Sequence, residues 1–110
     1  DADERQIESS IRVGAPAIEL HCGSYADATT PTEAAYELQR IVDSAAFGIC
    51  EGLIVNAGHG LHYHNVKAVA AIKGINELNI GHALVAHALF VGFKGAVAEM
   101  KSLILSASQA

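Results

Sequence analysis

The chain has 110 residues, 51% of them hydrophobic and 17% charged, with a net charge of −5. That is one small domain at most, too apolar for disorder and long enough to bury a core. Its seven Lys and Arg are scattered without a basic patch, which argues against nucleic acid and acidic membranes as partners.

Cys22 and Cys50 show neither metal spacing nor a disulfide framework. Free thiols in a reducing cytosol are the expectation, hence a cytoplasmic location. No signal-like stretch opens the chain, and no apolar run is seen that approaches the ~18 residues of a membrane span. The chain starts at Asp1-Ala2-Asp3 without an initiator Met, which reads as a segment of something longer.

In chain order, Asp3 can cap a first helix, with Gln6 completing a capping box, and Gly14 can stop it after Val13. Ala17–His21 reads as a strand that ends in a turn-prone Cys22-Gly23-Ser24 loop. Glu19 and His21 share one face of that strand; Ile18 and Leu20 share the other. Thr30-Pro31-Thr32-Glu33 is the clearest local signal: a second capping box with proline at the first helical position. The helix that follows carries Ala35, Leu38, Ile41, Val42, Ala45 and Ala46 as an amphipathic stripe and should end between Gly48 and Gly52.

Leu53–Ala57 is the second expected strand, running out into a loop of glycines and histidines, Gly58-His59-Gly60-Leu61-His62-Tyr63-His64. Asn65 can cap a helix from Val66 to about Ile72. Glu77–Ile80 is the third strand and leads into Gly81-His82. Ala83–Phe90 and Ala96–Ala107 read as two helices separated by Gly92 and Gly95.

Strands alternating with helices imply a parallel sheet with right-handed crossovers. Polar residues repeat on one strand parity, Glu19 with His21 and Glu77 with Asn79. Between two helix layers such residues would be awkwardly buried, whereas inside a barrel they face the axis. Three βα units cannot close a (β/α)8 barrel, which takes about 250 residues. The pattern alone therefore reads as part of an α/β barrel, with a flavodoxin-like sheet as the alternative.

Catalytic groups of such barrels sit where strands run into βα loops, and a phosphate site often forms there with the N-terminus of a short helix. The strand ends here offer His21-Cys22-Gly23, Gly58-His59-Gly60 and Gly81-His82. Glycines let backbone N–H groups approach a ligand, and histidine moves protons near neutral pH.

The stretches Asn56–Val66, Glu77–Ala83 and Ala96–Lys101, together with Ile18–His21 and Tyr25–Ala28, resemble the C-terminal part of pyridoxine 5'-phosphate synthase. The resemblance covers essentially the whole chain. It implies a TIM (β/α)8 barrel, α/β in class, of which residues 1–110 are a C-terminal segment holding about strands 6–8, with Asp1–Asp3 at the exit of the fifth strand.

The resemblance also implies a reaction: 1-deoxy-D-xylulose 5-phosphate and 3-amino-2-oxopropyl phosphate condense to pyridoxine 5'-phosphate, phosphate and water. No cofactor or metal is implied. The implied partners are these phosphorylated small molecules and further copies of the chain, a homo-oligomer and in the family a homo-octamer. By the resemblance His59 is the proton donor, and Gly60, Gly81 and His82 hold the amino-ketone phosphate. Glu19, His21 and Asn56 are expected to shape the site, while His62 and His64 are expected to serve loop packing. Another histidine and a glutamate of the family's catalytic set fall outside the chain, so alone it is expected to be inactive.

This sequence departs from the family pattern at Cys22, usually threonine, at Lys73, often proline, and at His87, commonly arginine. Two other readings stay open: a metal hydrolase with His59, His62 and His64 as ligands beside His82, and a non-catalytic half-barrel that binds phosphate.

Overall fold

The computed structural model describes residues 1–109. Its elements are α1 (Glu4–Arg12), β1 (Ala17–His21), α2 (Gly23–Ala26), α3 (Pro31–Cys50), β2 (Ile54–Gly58), α4 (Val66–Ala70), β3 (Glu77–Asn79) and α5 (His82–Ser108). The strands pair in parallel in the order β1-β2-β3, as the alternation of strands and helices predicts. The turn-prone loop after β1 is itself a single helical turn, α2.

The helix starts follow local chemistry, with shifts of one residue. Asp3 caps α1 by accepting from the N–H of Arg5, not of Gln6. Thr30 accepts from the N–H of Glu33 at 3.1 Å, with Pro31 in the first turn as expected. Glu33 reaches back to the N–H and hydroxyl of Thr29 rather than to Thr30. The seam that α3 buries runs through Ile41, Ser44, Ala45 and Gly48. Ala35 and Ala46, counted into the stripe from the sequence, are exposed.

Register makes the sheet two-faced. Partners across a parallel ladder point the same way, and Leu20 lies beside Ala57, which lies beside Leu78. On that face Leu20, Val55 and Ala57 are buried with Ile7 of α1, Ile41 and Ala45 of α3 and Val69 of α4. This is the core. Removing water from the Leu, Ile and Val side chains among these stabilises by about 1.5–3 kcal/mol each.

The opposite face carries Glu19, Asn56 and Glu77 in one row and His21, Gly58 and Asn79 in the next. Glu19, His21, Glu77 and Asn79 are all exposed. The helices thus cover one face of the sheet and leave the polar one open.

The two C-terminal helices expected from the sequence form one run, α5, interrupted at Gly92 by a non-helical conformation (φ 80°, ψ 159°). Gly95 lies within the helix. Contrary to the expectation from apolar runs, His82–Ser108 is long and apolar enough in composition to cross a membrane. The break leaves neither arm as long as the ~20 residues a span needs. Ala96 and Met100 of the second arm are buried.

Candidate active site

The loop after β2 begins with a conformational commitment. His59 has φ 75° and Gly60 φ 79°, and His59 is the one non-glycine with positive φ among the described residues. A side chain in this region costs about 1–3 kcal/mol and persists where the surroundings over-determine it.

Those surroundings are explicit. A Cβ on Gly60 would lie 2.6 Å from the Cβ of Ala26, so this turn sits directly on α2. Asn65 does not cap α4; its side chain instead accepts from the N–H of His62 at 2.7 Å and donates to the carbonyl of Gly60 at 3.1 Å. Tyr25 donates its hydroxyl to the carbonyl of Asn65 at 2.8 Å, and Tyr63 donates to the carbonyl of Ala96 at 2.8 Å. The loop is pinned to α2, to itself and to α5.

The imidazole of His59 stacks on that of His21, with ring centroids 4.3 Å apart and planes 24° apart. Gly58, just before it, fits because a Cβ there would meet the carbonyl oxygen of Asn79 at 2.9 Å. Asn79 in turn donates to the carboxylate of Glu19, tying β1 to β3 across the end of β2.

The junction after β3 has a different character. Gly81 precedes α5 without any side-chain cap, so the first-turn N–H groups of that helix lack helical partners. Gly81 has φ −128°, and a Cβ on it would meet nothing within 4 Å. Neither its backbone nor its neighbours require a glycine there.

A groove of about 770 Å³ joins the two junctions, lined among others by Glu19, His59, Gly60, Asn79, Gly81 and His82. The structure therefore brings Glu19, His59, Gly60, Gly81 and His82 together. His21 stands against His59, outside the set that lines the groove. Asn56 lies one row deeper, accepting from the side chain of Asn76 at 3.3 Å.

Asn65 and Asn79 join the site without having been among the candidate site residues; Asn79 shares its parity with Glu77, while Gly23 belongs to the His21-Cys22-Gly23 strand end. Two departures from the family pattern gain a physical description. Cys22 is fully buried, its thiol directed at the carbonyl of Leu20 at 3.7 Å. Burial pushes that thiol up to about 11, so it is neutral and inert near neutral pH. His87 keeps an acidic partner, Glu99, at 2.7 Å.

Among the described residues no group of His, Cys, Asp or Glu is gathered as a metal site. His62 and His64 form an edge-to-face pair with each other, their centroids 6.0 Å apart.

The family model described as pyridoxal phosphate biosynthesis protein PdxJ matches residues 1–106. The chain belongs to this family. Its function is accordingly pyridoxine 5'-phosphate synthesis in vitamin B6 biosynthesis, an enzymatic one. In the groove the two junctions present an imidazole, that of His59, and an uncapped helix start at Gly81.

Proposed function

We propose that residues 1–110 form the C-terminal segment of a single (β/α)8 barrel and supply the proton-donating and phosphate-holding side of the synthase site. The observation that carries this reading is the groove in which His59 and Gly60 meet Gly81 and His82. The open polar face supports the barrel, because parallel sheets are ordinarily covered on both sides and a barrel encloses the inner one.

In this reading His59 delivers a proton to the condensing amino ketone and deoxyxylulose skeletons, whose dehydrations and ring closure each need protons moved. The N–H groups at Gly60 and at the start of α5 hold the amino-ketone phosphate, assisted by the helix dipole. Glu19 and Asn79 border the same space and orient the polar atoms of the substrates. No metal or redox group is invoked, since proton transfer and anion binding are what these residues offer.

The residues that complete the catalytic set belong to the barrel's earlier strands, so the 110-residue chain alone is expected to show no turnover. A homo-oligomer in the cytoplasm belongs to the same proposal. The exposed Leu89, Phe90 and Phe93 on α5 support the first, and the free Cys22 and Cys50 support the second.

The test is calorimetric titration of inorganic phosphate into the complete enzyme and its Gly81→Val variant. Weaker binding in the variant is expected. Equal binding would remove the α5 start as the phosphate holder.

A further inference from the structure

We infer that His21 is a positioning residue for His59: its ring is the surface against which the proton-donating imidazole is aimed. The inference rests on the proposed role of His59 and adds to it a residue that acts only through that ring.

Three observations converge on it. The rings are nearly parallel, 24° apart with centroids 4.3 Å apart, slightly closer than the ~4.5 Å at which stacked rings ordinarily begin. His21 is itself held, because the N–H of Gly23 donates to its Nδ1 at 3.2 Å. Nδ1 being the acceptor, the proton of the neutral ring sits on Nε2. The fit below is also tight: a Cβ on Gly23 would lie 2.5 Å from Cε1 of His21 and 3.4 Å from Cδ2 of His59. Both imidazoles therefore rest on one glycine, at the start of α2.

The need for such a support follows from the backbone of His59. Its positive φ points the side chain away from the direction an ordinary strand extension would give it. The hydrogen bonds of Asn65 and Tyr63 fix the loop but do not fix the χ angles of His59. A flat neighbour at stacking distance does. A donor must meet its acceptor within hydrogen-bond reach, so a ring free to rotate spends less time in the productive orientation.

The chemistry separates two ways in which His21 could matter. Phenylalanine keeps a flat face but no acceptor for the N–H of Gly23; asparagine keeps an acceptor but no face. In the full-length enzyme, His21→Ala and His21→Asn are expected to lower kcat about tenfold or more, with KM for both substrates changed less than about twofold. His21→Phe is expected to recover most of kcat. In a His59→Asn background, His21→Ala is expected to add almost nothing, because residues acting through one another are non-additive.

Rescue by asparagine rather than phenylalanine would overturn the inference and make His21 an anchor for the Gly23 turn. A raised KM at unchanged kcat would overturn it by making His21 a substrate contact. An undiminished effect in the His59→Asn background, or an equal loss of Tm and activity in all three variants, would also overturn it. If His59→Asn alone leaves turnover intact, the role of His59 falls first, and that result is distinguishable from each of these.

Discussion

The two strand-to-helix junctions at the groove are built in opposite ways. After β2, the chain passes through two consecutive left-handed residues and is clamped by the amide of Asn65, the hydroxyls of Tyr25 and Tyr63 and the contact with Ala26. After β3, Gly81 enters α5 without a cap and with open space where a side chain would go. One junction presents a side chain, and the other presents backbone. A proton donor has to be held to within about 0.5 Å of its working geometry. An anion is caught by several N–H groups and a dipole, which tolerate more freedom. On the proposed roles, the more heavily clamped junction is the one that carries the donor.

Substitutions on each side sharpen this contrast. The largest effect is expected from His59→Asn in the complete enzyme, which should lower kcat by about 10²–10⁴-fold with modest change in KM. Steady-state kinetics with both substrates checks it, and a raised KM at unchanged kcat would reverse the assignment of roles.

Next is Gly60→Ala, which adds a Cβ at positive φ and 2.6 Å from Ala26. It should destabilise the complete protein by about 1–3 kcal/mol, seen as a lower Tm. An unchanged Tm would mean the clamped junction is looser than its contacts imply.

Asn65→Ala removes two loop hydrogen bonds and should cost about 1–2 kcal/mol. Its kcat should fall more than its KM rises, because the loop carries His59, the proposed donor. The converse pattern would place Asn65 with the phosphate instead.

The smallest effect on stability belongs to Gly81→Val. With nothing within 4 Å of the new Cβ, Tm should stay nearly constant while KM for the amino-ketone phosphate rises, on the order of tenfold. A loss of stability comparable with that of Gly60→Ala would erase the distinction between the junctions.

The sequence revealed what is local or periodic. The bond from Glu33 to Thr30 is specified within four residues, and the alternation of Glu19 with His21 follows from strand geometry alone. Both appear as read. Asn65 fits a cap by position, but its amide bonds within the loop instead. The left-handed pair before it turns the loop back within reach of its amide, and no local pattern encodes that competition. The Glu19–Asn79 bond joins residues far apart in sequence, so it became visible only once the register was known. The seam of α3 was displaced because helical spacing gives a face without its angular limits; Ala35 and Ala46 lie just beyond the rim. Gly92 signalled an interruption, and the helix resumes sooner than two separate segments would suggest.

The spatial order of the strands equals their order in sequence, so within this segment each strand pairs with the next one the chain makes. Between each pair the chain must close over a single crossover, and closure entropy grows slowly with such a length. A sheet of this kind can grow strand by strand as the polypeptide leaves the ribosome. The β1–β2 ladder, with five partnered positions against three for β2–β3, would be the more persistent part of the nascent sheet. Pulse-labelled amide exchange should then find Leu20 and Ala57 protected before Leu78.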